Sequence, residues 1–206
     1  MNQPALRKKI DNRKKTDANK LRVFIAMKLP GPVVAKLGEV QKSLKNSGLK
    51  AKWTHTANIH LTLKFLGDID RADLNAVTEI VGLAVKGIEP IRLSAKGIGV
   101  FPGVKQARIL WTGIAGQTNL LAKMHETIDT GLSEVGFLRD KRGFTGHLTI
   151  GRFKGSPHPD KLIDIIKKFN NMESEPFVAD TVYVIKSDLT PSGSIYTDLA
   201  SVTLIE

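Results

Sequence analysis

The sequence predicts an α+β fold with largely antiparallel sheets. Segments that alternate in the manner of strands interleave with segments that have the apolar spacing of helices. Several strands are joined by short turn sequences, such as Pro102-Gly103 and Thr190-Pro191-Ser192-Gly193, which favours antiparallel neighbours. The second half of the chain also resembles the first in the order of its elements. We therefore expect two similar halves.

The predicted elements follow from these patterns in chain order. A strand over 21–29 ends at Pro30-Gly31-Pro32, which opens a helix that runs to Gly48. A strand over 59–66 leads to a helix after Asp70, whose side chain suits the N-cap. The remaining strands are predicted at 91–100, 108–113, 144–153, 178–186 and 195–204, with helices after Gly116 and Pro159.

Length and composition narrow the class of protein. With 206 residues the chain suits one large domain or two closely packed lobes. It has no cysteine, which excludes disulfides and thiolate-bound metals and suits a reducing cytoplasm. No apolar run approaches the roughly 20 residues that cross a bilayer, and the N-terminus lacks the apolar segment of a secretory signal.

The positive charge is spread over two parts of the chain. Seven cations and two aspartates give residues 1–20 a net charge of +5, which leaves +6 of the total of +11 for the remainder. We predict that residues 1–20 form a flexible basic arm and that residues 21–206 form the domain. A basic body suits a protein that handles polyanions, although a merely soluble basic surface is the alternative.

Two short segments carry the chemistry that the sequence predicts. His60-Leu61-Thr62-Leu63 recurs 87 residues later as His147-Leu148-Thr149-Ile150, and both segments lie in predicted strands. Because strand side chains alternate between faces, each segment presents its histidine and threonine to one side and its apolar residues to the core. If the two halves face each other, a groove displays two imidazoles and two hydroxyls.

This set of side chains suits phosphoester chemistry. Histidine titrates near neutral pH, so one imidazole can accept a proton while the other donates one. Threonine hydroxyls can donate hydrogen bonds to the non-bridging oxygens of a phosphate and stabilise developing charge. The sequence has no P-loop, no nucleophilic serine motif, no clustered carboxylates and no metal-ligand spacing, so we expect neither a metal nor a cofactor.

Packing is the alternative explanation of each motif taken alone. A histidine on a strand is often a half-buried packing residue, and a four-residue pattern recurs by chance. The repetition of the pattern in two similar strand contexts favours the chemical interpretation instead.

These motifs and their surroundings make the chain resemble a known family. The chain is similar over about residues 21–204 to the 2H phosphoesterase superfamily, and within it to the RNA 2′,3′-cyclic phosphodiesterases, long called 2′-5′ RNA ligases. One departure is Gly146, where this group usually has proline, and glycine leaves His147 less rigidly placed. The segments that carry the resemblance are 23–26 with Leu29-Pro30, 58–67, Leu110-Trp111, 144–152 and 187–196.

The resemblance implies both a fold and an activity. The fold is two-lobed and pseudo-twofold, with mostly antiparallel sheets, helices on the outer faces and a metal-free active site between the lobes. The activity is hydrolysis of an RNA 2′,3′-cyclic phosphate to a 2′-phosphate end, with reversible 2′-5′ ligation beside it. By resemblance, His60 is the proton donor to the departing 3′ oxygen and His147 is the base on water, with Thr62 and Thr149 as phosphate-binding hydroxyls.

Two further residues are candidate substrate contacts by resemblance. Arg152 suits a phosphate, but strict alternation places it on the face opposite His147. It reaches the groove only if the strand bulges at Gly151 or ends there, so a scaffold role stays open. Phe24 is a candidate for base stacking, with core packing as the alternative. The remaining histidines and tryptophans are predicted to pack or to face solvent, without assigned function: Trp53, Trp111, His55, His125 and His158.

The expected partner is an RNA with a cyclic phosphate end, or a cyclic nucleotide, handled by a cytoplasmic monomer that has no membrane segment. Two alternatives stay open. The first is a nucleotide- or RNA-binding module that keeps the groove without activity. The second is an enzyme for another cyclic phosphate, such as a tRNA-splicing product. Turnover of a cyclic-phosphate dinucleotide separates the binding module from an enzyme.

Overall fold

The structure begins its first strand one residue earlier than the sequence predicts. The computed structural model describes residues 19–141, 143–155, 157–191 and 193–205. The predicted basic arm therefore lies outside the described residues, apart from Asn19 and Lys20. Lys20 already belongs to the sheet, where it pairs with Asp70.

The described residues contain nine strands, four α-helices and three short 3-10 helices. The helices are α1 (Gly31–Asn46), α2 (Leu74–Val85), α3 (Thr118–Glu134) and α4 (Pro159–Lys168). The strands are β1 (Lys20–Lys28), β2 (Lys52–Trp53), β3 (His60–Asp70), β4 (Ile91–Phe101), β5 (Ile109–Gly116), β6 (His147–Arg152), β7 (Phe177–Ala179), β8 (Thr181–Thr190) and β9 (Gly193–Thr203).

All nine strands join one sheet. Its order is β7-β4-β5-β6-β3-β1-β8-β9, and β2 is added beside β6. Every pair of neighbouring strands is antiparallel. This architecture confirms the predicted α+β class with mostly antiparallel strands.

The strand order gives the sheet two matching halves. β3 and β6 meet at the centre, where Leu61 pairs with Leu148, and three more strands extend outward from each. These halves are not the two halves of the sequence. The β8–β9 hairpin joins β1 and β3, whereas β4, β5 and β7 extend from β6. The arrangement confirms the pseudo-twofold fold and brings the two histidine motifs onto adjacent strands.

The helices cover one face of the sheet and leave the other face open. Ile25 and Met27 of β1 point into the main core with Leu61 and Leu148, whereas Phe24 lies in a small cluster on the opposite face. All four helices bury apolar side chains in the same main core. Each large apolar side chain buried there stabilises the fold by about 1.5–3 kcal/mol. The open face is therefore free to carry a site.

A β-bulge interrupts β3 just after its motif threonine. Ala26 of β1 pairs with Thr62, but the next residue, Ile25, pairs with Lys64, so the register skips Leu63. A bulge of this kind shifts the alternation of side chains by one residue. Lys64 therefore shares the helix-covered face with Ile25.

A second β-bulge occupies the same motif position in β6. Trp111 of β5 pairs with Thr149, but the next residue, Leu110, pairs with Gly151, so the register skips Ile150. The skipped residue is again the third after the motif histidine. Side chains beyond both bulges consequently change faces relative to strict alternation.

Three stretches differ from the predicted strands. The strand predicted over 144–153 begins only at His147, because the preceding residues form the end of the loop that leads from α3. The strand predicted over 178–186 is two strands, β7 and β8, which are separated at Asp180 and pair with β4 and β1. The sequence analysis missed β2, because two residues are too few for an alternation to be seen.

Candidate active site

The two histidine motifs lie side by side on the open face of the sheet. β3 and β6 pair at the second residue of each motif, and their antiparallel direction places His60 across from Thr149 and Thr62 across from His147. All four side chains are half-buried, between the fully buried residues that alternate with them. The structure thus brings together the imidazoles and hydroxyls that the sequence predicts.

Each histidine is held by the same local hydrogen bond. His60 Nδ1 lies 2.8 Å from the carbonyl oxygen of Asn58, and His147 Nδ1 lies 2.8 Å from that of Thr145. A carbonyl can only accept, so Nδ1 carries the proton and donates in both rings. This leaves Nε2 of each imidazole as the nitrogen that can exchange a proton with a ligand.

Aromatic rings fix the orientation of His60. The ring of Phe24 stacks on the imidazole with a centroid distance of 4.6 Å and an interplanar angle of 27°. Tyr196 of β9 meets the same imidazole edge-on at 5.3 Å. Phe24 is buried yet borders the cavity beside the motifs. Its position supports the ring of His60 directly, and base stacking by Phe24 stays a prediction.

His147 has its own aromatic neighbours in the other half of the sheet. Phe101 of β4 lies edge-on at 5.1 Å between ring centroids, and Trp111 of β5 lies at 6.4 Å. The indole of Trp111 lies across β4 at Gly99, where a Cβ atom would come within 2.2 Å of the ring. Both motif histidines are thus flanked by two aromatic side chains, although the individual contacts differ.

The surroundings of His60 lower the pKa of its imidazole. Burial is the main cause, because it disfavours the charged form, and the carbonyl of Asn58 opposes it. The positive charges of His147 and Arg152 lower the pKa further. In the ligand-free protein His60 therefore favours the neutral form at neutral pH.

The bulge in β6 turns Arg152 onto the open face. Arg152 pairs with Ile109, two residues along β5 from Trp111, which itself pairs with Thr149. Arg152 therefore returns to the face of Thr149 and lines the cavity with His60. The sequence left open whether Arg152 faces the groove or the opposite side of the strand. In the structure it faces the groove.

A large cavity extends from the motifs across the open face. Its volume is about 1230 Å³, and its walls include Thr62 and Thr149 together with His60 and Arg152. Further wall residues come from α1, β2 and the β8–β9 hairpin. His147 is not one of the lining residues, although its charge acts on His60. A ligand in the cavity would thus meet one motif threonine from each half of the sheet.

Gly146 precedes β6 at a crowded position. A Cβ atom there would lie 3.2 Å from Leu121 Cδ2 and 3.6 Å from the ring of Phe144. A larger side chain would therefore require Leu121 to move by a few tenths of an ångström. The space around residue 146 is bounded by α3, by Ile114 of β5 and by the loop before β6, so glycine fits here without displacing a neighbour.

The described residues form no metal-binding cluster and no membrane-spanning helix. Within residues 19–205, apart from the three undescribed positions, no group of three or more His, Asp or Glu side chains could hold one metal ion. None of the four described helices is long and apolar enough to span a bilayer.

Sequence reasoning missed the aromatic residues that flank the histidines. Tyr196 and Phe101 contact an imidazole, yet neither was singled out, and Trp111 was expected only to pack. For Tyr196 and Trp111 the available signal was their position inside the segments of resemblance. For Phe101 there was none, because its contact depends on the pairing of β4 with β5.

Sequence comparisons place the chain among phosphoesterases. The model of the family described as LigT-like phosphoesterases matches residues 28–111 and 114–196. A protein of Methanothermobacter thermautotrophicus named RNA 2′,3′-cyclic phosphodiesterase is 33% identical over 180 residues, which are 87% of this chain and 97% of that protein. A protein of Methanocaldococcus jannaschii with the same name is 35% identical over 176 residues, 85% of this chain and 96% of that one.

Solved structures share the fold. A crystal structure of a Thermus thermophilus protein superposes with a TM-score of 0.74 at 23% identity and covers 89% of this chain and 98% of its own. The crystal structure of E. coli LigT with 3′-AMP superposes with a TM-score of 0.71 at 17% identity, over 91% of this chain and 99% of its own. The matched fold, the family model over most of the domain and the identity to full-length relatives lead to one conclusion: the chain belongs to the LigT-like phosphoesterases of the 2H superfamily.

Proposed function

We propose that the protein hydrolyses the 2′,3′-cyclic phosphate end of RNA to a 2′-phosphate by metal-independent acid–base catalysis. The observation that carries the proposal is the matched pair of imidazoles. His60 and His147 each donate Nδ1–H to a carbonyl and keep Nε2 for proton transfer. The names of the relatives, which are RNA 2′,3′-cyclic phosphodiesterases, support the same reaction.

In the proposed reaction, water attacks the phosphorus in line with the departing 3′ oxygen. Nε2 of His147 takes a proton from the water as the new P–O bond forms. Nε2 of protonated His60 gives its proton to the 3′ oxygen as the P–O3′ bond breaks. The product carries a 2′-phosphate and a 3′-hydroxyl. Two histidines on adjacent strands can supply the acid and the base on opposite sides of the phosphorus.

Thr62 and Thr149 are proposed to hold the phosphate during this step. Both line the cavity, and each hydroxyl can donate a hydrogen bond to a non-bridging oxygen. Arg152 shares their wall and adds a positive charge that is permanent at all relevant pH values. Donors fixed before the reaction stabilise the developing negative charge without reorganising.

The lowered pKa of His60 sets a condition on its role as the acid. The free protein favours neutral His60, whereas the acid must begin the reaction protonated. A bound cyclic phosphate places a negative charge beside the imidazole and favours the protonated form. We therefore expect the alkaline limb of the pH profile to lie at higher pH for kcat, which reports the complex, than for kcat/KM.

Ligation follows from the same chemistry with a different nucleophile. If the 5′-hydroxyl of a second RNA replaces water, the attack expels the same 3′ oxygen and forms a 2′-5′ phosphodiester. The reverse step cleaves that bond. The cavity of about 1230 Å³ favours this second reaction, because it leaves space beside the cyclic phosphate for another ribose.

A direct test measures turnover in EDTA. Adenosine 2′,3′-cyclic phosphate and short oligoadenylates with a 2′,3′-cyclic phosphate end are incubated with the full chain, and the products are separated by chromatography. We expect hydrolysis to the 2′-phosphate at an undiminished rate. Activity that needs a divalent ion contradicts metal independence, and a 3′-phosphate product contradicts the assigned leaving group. Binding without turnover supports the binding-module alternative.

A further inference from the structure

One wall of the active-site cavity is basic and lies beside the reaction centre. It consists of Lys45 on α1 and of Lys52 and Trp53 on β2, which we call the basic wall. Lys45 and Lys52 are exposed. Neither takes part in an ion pair among the described residues, where the pairs found involve other cations. Among those residues, therefore, no carboxylate within ion-pair distance neutralises either charge.

The basic wall is attached to the second motif by the hydrogen bonds of a buried glutamine. Gln41 of α1 is 4% exposed, and its Nε2 donates to the carbonyl oxygens of Thr54 at 2.7 Å and of Ile150 at 2.8 Å. Ile150 is the bulged residue of β6. Lys45 follows Gln41 by one helical turn and so lies on the same side of α1. Gln41 thus holds the bulge of β6 and the end of β2 in place through the same side-chain amide.

Pairing between β2 and β6 brings the wall close to Arg152. Lys52 is the register partner of Arg152, and Trp53 is the partner of Gly151. Paired residues of antiparallel strands have Cα atoms about 5 Å apart. The indole of Trp53 packs against β6 at this glycine, since a Cβ atom on Gly151 would be in ordinary van der Waals contact with Trp53 Cε3 at 3.4 Å. Lys45 Nζ lies 5.5 Å from the centre of the indole.

The cavity is larger than a cyclic phosphate nucleotide requires. Pockets for drug-sized ligands measure about 300–1000 Å³, and this cavity measures about 1230 Å³. Its far side differs in character from the basic wall, because Phe65, Leu189 and Ile195 line it as exposed apolar side chains. The cavity thus has a cationic end and an apolar end with the histidine motifs between them.

We propose that the basic wall binds the nucleotide immediately 5′ to the nucleotide that carries the cyclic phosphate. Lys45 and Lys52 hold the phosphodiester between these two nucleotides, and the upstream base stacks on Trp53. Trp53 is half-buried, with part of its side chain accessible. A cationic groove with aromatic side chains on which bases stack is the usual means of binding single-stranded nucleic acid. The inference rests on the proposed function and makes an RNA end of at least two nucleotides the preferred substrate over a single cyclic nucleotide.

The test compares two product analogues in equilibrium binding. The ligands are adenosine 2′-monophosphate and an adenylyl dinucleotide with a 2′-phosphate end, which differ by one nucleotide and one phosphodiester. We expect the dinucleotide to bind more tightly to the wild type. Lys45→Gln and Lys52→Gln should each reduce this preference about 10-fold, the effect of one charge-assisted hydrogen bond. Each should also reduce the slope of log affinity against log salt by about 0.7.

The stacking part of the proposal has its own variants. Trp53→Leu should reduce the dinucleotide preference by about 5- to 150-fold, because base–aromatic stacking is lost. Trp53→Phe keeps a ring and should retain most of the preference. Equal loss with Phe and Leu would overturn stacking. The matched control for charge is Lys42→Gln, which removes an exposed cation from the same helix outside the cavity.

The outcomes separate this inference from the proposed function. If Lys45→Gln and Lys52→Gln behave like Lys42→Gln, or if the wild type binds both ligands equally, the basic wall is not a nucleotide subsite. Turnover of cyclic phosphates can still be intact in that case. If the dinucleotide preference depends on the wall but no cyclic phosphate is hydrolysed, the proposed reaction fails and the subsite stands.

Discussion

His60 and His147 differ in their surroundings even though their motifs match. His60 lies between Phe24 and Tyr196, whereas His147 lies beside Phe101 and Trp111. This asymmetry fits two different roles in proton transfer. We predict that His60→Ala and His147→Ala each lower the rate by about 10²–10⁴-fold while leaving the fold intact.

The two histidine variants are distinguished by pH profiles and by a substrate with an activated leaving group. The wild-type profile should be bell-shaped, His60→Ala should lose the alkaline limb, and His147→Ala should lose the acid limb. A nitrophenyl phosphodiester needs no proton on its leaving group, so it should partly rescue His60→Ala alone. Rescue of His147→Ala instead would reverse the assignment.

Arg152 acts on His60 through its charge, and removing that charge gives a signed prediction. Arg152 lowers the pKa of His60, so Arg152→Gln should raise that pKa towards the ordinary value of about 6.5. If His60 is the acid, the alkaline limb of kcat/KM moves to higher pH. Movement of the acid limb to higher pH would identify His60 as the base.

A suitable control for this variant is Arg22→Gln. Arg22 also lines the cavity, but it is not one of the groups that shift the pKa of His60. The limbs of its profile should stay where they are in the wild type. NMR titration of the imidazole carbons provides the same comparison without turnover.

The motif threonines are predicted to act through their hydroxyls. Thr62→Ala and Thr149→Ala should each lower kcat by about 10²–10³-fold, the usual effect of removing one donor to a developing oxyanion. Thr→Ser at either position keeps the donor and should retain most of the activity. An equal loss with serine would show that the methyl group packs rather than that the hydroxyl donates.

At the scale of elements, the bulge in β3 buries a lysine. Lys64 is 2% exposed on the helix-covered side, where it forms an ion pair with Asp129 of α3 and donates to the carbonyl oxygen of Leu138 at 3.0 Å. Asp129 also accepts from Arg139 Nε at 3.1 Å. The pair therefore connects β3 and α3 to the start of the loop that leads to His147.

We predict that Lys64→Met destabilises the fold by about 3 kcal/mol. The buried carboxylate of Asp129 would then keep its hydrogen bond from Arg139 but lose the positive charge of Lys64. Urea unfolding of the variant measures the loss of stability. The double variant Lys64→Met/Asp129→Leu should recover much of it, since both charges are gone. Lys36→Met removes a lysine from an exposed pair with Glu39 and should cost at most about 1 kcal/mol. Equal losses for the two lysines would contradict the argument.

Because of Asp129, the contribution of the Lys64–Asp129 ion pair to the stability of the fold depends on pH. Burial alone would raise the pKa of its carboxyl, but hydrogen bonds from Lys64 and Arg139 outweigh burial and leave the pKa lowered. A carboxyl whose pKa is lower in the folded than in the unfolded state contributes stability above the unfolded value of about 3.9. That contribution is lost as the pH falls through the folded value, and Asp129→Asn should remove it.

Alternation along the strands predicted much of the site but not its bulges. The two matching motifs in two strands predicted that each histidine shares a face with its threonine, but that β3 and β6 are neighbours comes from the strand order. The position of Arg152 does not follow from alternation, because a bulge depends on which residue of the neighbouring strand is skipped. The same limit explains why the burial of Lys64 could not be predicted. Strand β2 could not be predicted, because two residues are too few to show the alternation of apolar and polar side chains.

At the scale of the molecule, we expect positive charge to govern the encounter with the proposed RNA substrate. The net charge is +11, of which residues 1–20 carry +5. Deleting residues 1–18 should weaken binding of long RNA and flatten its salt dependence, because fewer counterions are released. Turnover of a cyclic mononucleotide should change little. Loss of that turnover in the truncated chain would show that the arm supports the active site itself.

The strand order also has a consequence for the synthesis of the molecule. β1, near the start of the chain, lies between β3 and β8, and its Phe24 pairs with Ile185. On the ribosome, β1 and β3 emerge long before β8 and β9, so one side of β1 stays unpaired for most of translation. Pairing across such a sequence separation is slow, and an exposed strand edge attracts other chains. We therefore expect chains that stop before β8 to bind chaperones and to lack turnover, because the half of the sheet that contains β3 and β1 is completed only when the β8–β9 hairpin is added, whereas the strands of the other half all precede β8.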